Sequence, residues 1–199
     1  MKKRVAIIVL LVIAICLGVH YHFSHHKPNQ SQNKVVKNIA GYDKYRLTDN
    51  KTKLYKKYFN QLHDVLTKDE VDEEAYAKLV AKMFVADFYD LKSKYSKNDI
   101  GGTVFIHPDA LDNFKLNAGN TMYKYVEQKI VGKRTQELPV IKTTKIDNIE
   151  QVELDVNKTK HDGYIVELHW QYEADMGYQK QAKLEIIKAK KYLYIIKID

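Results

Sequence analysis

A change in hydrophobic periodicity near residue 138 is the feature that most constrains the fold of this chain. Before it, apolar residues recur at steps of three and four, as on one face of a helix. After it, apolar and polar residues alternate, as on a strand with one buried face. Helices that come first and strands that follow predict an α+β fold, because a parallel sheet would need the two to alternate along the chain.

The first predicted helix starts near Asp49 and carries an apolar stripe at helical spacing. An acidic stretch, TKDEVDEEAY, follows it and precedes the second helix. Thr67 with Glu70 fits a capping box there, and Asp72 is an alternative N-cap. Acidic residues at a helix N-terminus are favoured by the helix dipole, so we assign this stretch to a helix start rather than to a calcium loop.

The second predicted helix contains the stretch AKLVAKMFVADFYDLKSKYSKNDIGG, residues 77–102. Its broad apolar face predicts packing against a sheet. We expect the helix to end at Gly101 and Gly102, since glycine adopts left-handed conformations at little cost. A third helix is expected from Pro108, a residue suited to the first helical position, to Gly132.

The strands are predicted as an antiparallel meander against which the three helices pack. Trp170 shares one face of its strand with other large apolar residues and is therefore predicted to point into the core. The dipeptide Asp162–Gly163 is a hairpin-turn signal that precedes this strand. The five predicted strands are 138–146, 149–157, 164–173, 179–188 and 191–198.

The N-terminal sequence MKKRVAIIVLLVIAICLGVHYHF has the pattern of a membrane anchor. Three basic residues precede 15 uncharged residues, 5–19, and two aromatic residues extend the segment to 5–23. This length is close to the ~20 residues that a spanning helix needs. The positive-inside rule then places residues 1–4 in the cytoplasm and the rest of the chain outside the cell membrane.

Two alternatives to an uncleaved anchor stay open. A cleaved signal peptide requires a small-residue cleavage pattern, which is missing from LGVHYHFSHH. A lipoprotein would use Cys16, but a bulky residue, Ile15, stands where a small one is expected. The histidines at 20, 22, 25 and 26 have no Cys, Asp or Glu nearby to complete a metal site, so we interpret them as interfacial polar residues.

Residues 24–49 are rich in polar residues without sustained periodicity, which predicts a linker, and residues 50–199 then form the external domain. The net charge of +8 permits attraction to anionic lipids or to an anionic envelope polymer. Nucleic acid is not an expected partner, because the lysines are scattered and no arginine-rich run occurs. Cys16 is the only cysteine, so no intrachain disulfide is available.

Four residues are candidates for a pocket or an interaction site: Phe84, Asp87, Phe88 and Trp170. If Asp87 were buried in an apolar pocket, its pKa would be raised and it would be suited to act as a base. The alternative, which we favour, is that it borders solvent or accepts a hydrogen bond from a cap amide. The further acid–base candidates, Asp90, His107 and His169, are assigned to caps or to the outer face. We therefore predict no catalytic residue, cofactor or metal.

The order of elements resembles the nuclear-transport-factor-2-like cone fold over about residues 50–199. The resemblance is carried by AKLVAKMFVADFYDL and by the strands GYIVELHWQYEAD, QKQAKLEIIKA and KYLYIIKI. With an N-terminal anchor, the same fold resembles the bitopic ring-forming component of type IV secretion systems. Related domains occur in Gram-positive conjugation proteins and in some penicillin-binding proteins. Enzymes of this fold place an acid or histidine inside the cone, so the resemblance alone does not decide function.

These observations predict a single-pass bacterial envelope protein whose external domain binds a protein or an envelope polymer without catalysis. A component of a conjugation or secretion apparatus is the first alternative and belongs to the same biochemical class. A domain that binds or transforms a small molecule inside the cone is the second. A polar pocket lined by Asp87 would favour that second alternative, whereas an interior filled by aromatic side chains would favour the interaction module.

Overall fold

The computed structural model describes residues 34–199, and over these residues the α+β prediction is confirmed. They contain three α-helices and a four-stranded antiparallel sheet, preceded by a small two-stranded sheet. The elements in chain order are β1 (Val35–Asn38), β2 (Arg46–Thr48), α1 (Lys53–Leu66), α2 (Glu73–Phe88), a 3-10 turn (Thr103–Phe105), α3 (Pro108–Asn120), β3 (Ile141–Val156), β4 (Thr159–Tyr172), β5 (Gln181–Ala189) and β6 (Tyr192–Ile198).

Polar side chains define where α1 and α2 begin. Thr52 accepts a hydrogen bond from the Tyr55 N–H at the start of α1, and Asp72 accepts one from the Ala75 N–H at the start of α2. The predicted Thr67–Glu70 capping box is wrong, because Thr67 closes α1 instead, whereas the alternative N-cap at Asp72 is correct.

The second helix ends at Phe88, well before the glycine pair at which we expected it to stop. Beyond it, the Asp90 carboxylate accepts hydrogen bonds from the backbone N–H groups of Ser93 and Ile141, at 3.2 Å each. These local and tertiary partners compete with continued helix formation. Tyr95, which a longer helix would have placed on the apolar face, is consequently 43% exposed. The third helix likewise ends early, at Asn120.

The main sheet is an antiparallel meander with strand order β3-β4-β5-β6. The two strands predicted at 138–146 and 149–157 are one strand, β3, of 16 residues. Its pairing with β4 shifts register between Ile146 and Asn148, and such an irregularity lets a strand continue where the period of its side chains changes. The last three predicted strands correspond to β4, β5 and β6.

The turn between β3 and β4 lies at Asn157 and Lys158, whose φ angles are 54° and 67°. The turn predicted at Asp162–Gly163 is therefore wrong, and both residues belong to β4. A Cβ on Gly163 would lie 2.3 Å from the Ile186 carbonyl oxygen on the neighbouring strand. The glycine in this dipeptide thus permits a close approach of two strands rather than a turn.

The structure differs from the predicted linker over residues 35–48. Here β1 pairs with β2, and Ile39, Tyr45 and Leu47 are buried in the core of the domain. Three apolar residues spread over nine positions produce no periodic signal, although each buries its side chain. Residues 35–199 form one compact unit with its own core.

Predictions for the N-terminal region fall outside the described residues. These are the cytoplasmic tip 1–4, the anchor 5–23, the first part of the linker and the histidine cluster. Within residues 34–199, no helix has the length and apolar character needed to cross a bilayer.

Candidate functional site

Phe84 and Phe88 lie one turn apart on α2 and are both buried. Their rings stack at a centroid distance of 5.2 Å. Both also contact Phe114 of α3, and Phe88 contacts Tyr123, which follows that helix. The prediction placed these rings between α2 and the sheet. Two of their aromatic partners, Phe114 and Tyr123, come from the segment that begins with α3.

Trp170 lies on β4, between β3 and β5, and is 1% exposed, so the predicted inward orientation is correct. Its ring packs on Tyr89 at 4.3 Å, and Tyr89 in turn contacts both Phe84 and Phe88 edge-on. The chain of contacts makes one aromatic cluster, which consists of Phe84, Phe88, Tyr89, Phe114, Tyr123 and Trp170. This cluster occupies the space between α2, α3 and the sheet.

Asp87 is buried, so it does not border solvent, the first of the two positions that we expected for it. Its carboxylate accepts hydrogen bonds from the Lys94 ammonium at 2.6 Å and from the Lys51 ammonium at 2.8 Å. The Gly102 N–H donates a third, at 2.9 Å. Lys51 comes from the loop before α1, and Lys94 and Gly102 come from the connection between α2 and the 3-10 turn, so the carboxylate joins two loops to the end of α2.

The electrostatics of this site are those of an ion cluster rather than of a general base. Burial by itself raises the pKa of Asp87, but the Lys94 and Lys51 ammonium groups, with the Gly102 N–H, outweigh burial and hold that pKa well below its usual range. A carboxylate with so low a pKa is a weak proton acceptor at neutral pH. The space beside it is a cavity of about 20 Å³, room for one water molecule and for no larger ligand.

Sequence reasoning missed Lys51, Lys94 and the part played by the glycine pair. Gly102 has a φ of 73°, and a Cβ on Gly101 would lie 2.2 Å from the Asp87 carbonyl oxygen. The two glycines therefore let the chain fold back against the end of α2, and they do not end a helix. A Gly-Gly pair that follows a polar stretch was the available signal for such a close approach.

The remaining acid–base candidates lie apart from one another. Asp90 is buried, which raises its pKa, and the amides of Ile141 and Ser93 oppose that rise. His107 is the N-cap of α3, which agrees with its predicted position in a cap. His169 is partly exposed and lies 2.7 Å from Asp147. Among residues 34–199, no group of three or more histidine, cysteine or acidic side chains is arranged to hold a metal ion.

A second buried cation, also missed, lies in the segment between β1 and β2. The Lys44 ammonium is 3.4 Å from the centroid of the Tyr194 ring and about 5 Å from those of Tyr45 and Tyr192. It has no hydrogen-bond partner within the described part of the chain. Burial lowers the pKa of Lys44 to about 7. The contacts with Tyr192 and Tyr194 fasten this segment to β6.

Comparisons of the chain with protein-family profiles, with curated protein sequences and with solved structures give no match. The interpretation of this site therefore depends on its own geometry. Its two main features are an interior filled by aromatic rings and a buried carboxylate that two lysines neutralise.

Proposed function

We propose that this chain is a single-pass, membrane-anchored protein of a bacterial envelope whose external domain binds another protein without catalysing a reaction. The observation that carries the proposal is the state of Asp87, the residue best placed by sequence to act as a base. Its carboxylate is paired with two lysines beside a cavity of about 20 Å³, which supports a structural role. A binding surface on the outside of the domain is then the better candidate for function.

The outer edge of β3 is the surface we assign to the partner. β3 pairs with β4 on one side, and no other strand within residues 34–199 covers its opposite side. An uncovered edge presents free N–H and C=O groups, to which an extended segment of a second protein adds as a further strand. The ladder between β4 and β5 ends at Gly163, which is opposite Val152 of β3, so residues 153–162 form a two-stranded arm that extends past the third strand.

The composition of the second half of β3 favours a protein over a polymer of negative charge. Glu150, Glu153 and Asp155 are exposed on β3, and Val152 and Leu154 are half-buried between them. Acidic side chains repel an anionic polymer, whereas half-buried apolar ones offer area to a protein partner. Residues 34–199 contain 29 Lys and Arg and 25 Asp and Glu, a net charge of +4, which supports the alternative partner, an anionic envelope polymer, at other parts of the surface.

The order of helices and strands is also in keeping with the resemblance to the nuclear-transport-factor-2-like domains of secretion and conjugation systems. A component of such an apparatus is the more specific form of this proposal. We rank the alternative of a small-molecule or catalytic cone lower, because aromatic rings fill the space between α2, α3 and the sheet.

Site-specific photo-crosslinking of the full chain in its native cells tests the proposal. A photoreactive residue at Lys145 or Glu153, both exposed on β3, is expected to give a discrete adduct with one protein, and the same residue at Lys115 of α3 serves as the control. Val152→Lys places a charge on the edge and should abolish the adduct, as edge lysines do against strand addition. Equal yields from β3 and from α3 would contradict the assigned surface.

The anchored topology has its own test. External protease applied to wall-stripped cells should digest residues 34–199 and leave a small N-terminal peptide in the membrane. A mature protein that starts after residue 20 would contradict the anchor.

A further inference from the structure

The loop after α3 carries the most exposed apolar side chains of the described residues. Tyr125 and Ile130 are each 75% exposed, and Val131 is 91% exposed. Tyr95, at 43%, is next to them, because its carbonyl oxygen accepts a hydrogen bond from the Lys129 N–H. Exposed large apolar residues are ordinary when scattered singly, but a contiguous group indicates a surface that meets another apolar phase.

The tip of this loop is a strained turn. Ile130 and Lys133 exchange two backbone hydrogen bonds, of 2.8 and 2.9 Å, around Val131 and Gly132. The φ angles of these two residues are 49° and 73°. A two-residue turn with both angles positive favours Asn-Gly, and a β-branched residue in that conformation is an outlier. Valine at this position costs stability while its side chain remains in solvent, which points to a function for the side chain.

The base of the loop is firmly held. The Arg134 guanidinium donates hydrogen bonds to four carbonyl oxygens, those of Leu91, Lys92, Lys94 and Glu127. Gln136 donates to the Tyr125 carbonyl and accepts from the Glu127 N–H. The apolar tip therefore projects from a preorganised base, so a partner would not have to order it on binding.

The charges around the tip select the chemistry of that partner. Lys124 and Lys133 are exposed on the two sides of the tip, and the Lys124 ammonium lies 5.0 Å from the Tyr125 ring. The Lys129 ammonium instead donates a hydrogen bond to the Ser93 carbonyl oxygen, at 3.3 Å. Glu127 is the single acid of residues 124–134. This arrangement matches the layers of an anionic bilayer. The aliphatic residues at the tip suit the acyl chains, the tyrosine behind them suits the interface, and the lysines suit the phosphates.

We infer that the loop formed by residues 124–134 docks the domain on an anionic lipid surface, with Ile130 and Val131 inserted at the boundary of the acyl chains. Tyr125 lies at the level of the headgroups, and Lys124 and Lys133 pair with lipid phosphates. The inference rests on the proposed membrane location. It adds a second, reversible contact, which holds the external domain close to the bilayer.

The test uses residues 34–199, whose buried core is closed within the fragment. A single cooperative thermal transition first establishes that it folds. Because the natural cysteine is at position 16, Val131→Cys gives one labelling site for an environment-sensitive fluorophore. Vesicles with 30 mol% phosphatidylglycerol should shift its emission to the blue at ~50 mM salt, and pure phosphatidylcholine vesicles should not. Leu116→Cys on α3, also exposed, is the matched control and should show no shift.

One substitution separates function from stability. Val131→Asn suits the turn, so it should raise the Tm by about 2–4 °C. The same change removes an apolar anchor and should weaken vesicle binding about 10-fold. Lys124→Gln with Lys133→Gln should weaken binding to a similar extent and reduce its salt dependence. A stabilised Val131→Asn variant that binds vesicles as well as the parent fragment would overturn the inference.

Absence of vesicle binding at any phosphatidylglycerol content would overturn the inference as well. In that case, protection of residue 131 from labelling by a protein bound in cells would identify the tip as a protein contact. Neither result bears on the anchor, because the fragment lacks it and protease digestion of cells tests it separately.

Discussion

Lysine amines are buried in two places in this domain, and their surroundings differ. The Lys94 ammonium lies 2.6 Å from a buried carboxylate, whereas the Lys44 ammonium lies among tyrosine rings and has no hydrogen-bond partner among the described residues. Asp87 gives Lys94 a full counter-charge, but a ring offers only the negative face of its quadrupole. The partner of a buried lysine, more than its depth of burial, therefore decides whether it stabilises or destabilises the fold.

The largest expected effect comes from removing the carboxylate of the paired site. Asp87→Asn leaves Lys94 buried without its counter-charge, and breaking a buried pair in this way costs about 3–5 kcal/mol. Chemical denaturation of residues 34–199 at pH 7 measures the loss. A double-mutant cycle with Lys94→Met should return a large coupling energy, and two independent, additive losses would contradict the ion cluster.

The same site makes the unfolding free energy of the domain depend on pH in the acidic range. The pKa of Asp87 is lowered in the folded state, so its contribution is fully present above its unfolded value of about 3.9 and is lost as pH falls below that value. The difference in unfolding free energy between the parent fragment and Asp87→Asn should therefore shrink below about pH 4.

The second largest effect tests the close packing beneath that site. A Cβ on Gly101 would lie 2.2 Å from the Asp87 carbonyl oxygen and 2.6 Å from the Lys94 ammonium. Gly101→Ala should therefore displace both groups and cost about 1–3 kcal/mol, as overpacking does. Gly119→Ala in α3 is the matched control, because its Cβ meets only one atom, at 4.0 Å. That substitution should stabilise the domain by up to about 1 kcal/mol through helix propensity.

Features that depend on neighbouring residues in the sequence could be predicted, whereas features that depend on distant residues could not. Burial of Phe84 and Trp170 was predictable, because each lies in a periodic pattern within its own element. The end of α2 was not, because one of the amides that bind Asp90 belongs to Ile141, 51 residues further along. Lys51 and Asp87 are 36 residues apart in the sequence. No local pattern indicates that a lysine will pair with a carboxylate so far along the chain.

The third effect concerns the lysine among the rings. Burial lowers the pKa of Lys44 to about 7, so between about pH 7 and 10.5 the unfolded chain binds more protons than the folded one. Stability contributed by this residue therefore rises with pH across that window, with a limiting slope of about 1.4 kcal/mol per pH unit. Lys44→Met has no charge to bury but loses the contacts of the ammonium with the rings, so it should be about 1–3 kcal/mol more stable than the parent at pH 7.

The diagnostic measurement is the difference in unfolding free energy between Lys44→Met and the parent from pH 7 to 9.5. This difference should decrease as pH rises. Tyr45 and Tyr194, which face the ammonium, have raised pKa values from burial and stay neutral in the folded state over this range. A difference that is constant with pH would mean that the three rings keep Lys44 charged, and the contrast with Lys94 would disappear.

The smallest effect belongs to an ion pair of the same chemistry on the open face of the sheet. Lys183 lies 3.6 Å from Glu167, and both side chains are nearly half exposed. Water already solvates each charge there, so the pair gains little from its partner and loses side-chain freedom in forming. Lys183→Gln should change the unfolding free energy by about 0.5 kcal/mol or less, and less again in 1 M salt. A loss of unfolding free energy comparable to that of Asp87→Asn would contradict this expectation. It would show that an exposed ion pair stabilises the domain as much as a buried one, so that exclusion of water from Lys94 does not explain the contribution of the buried site.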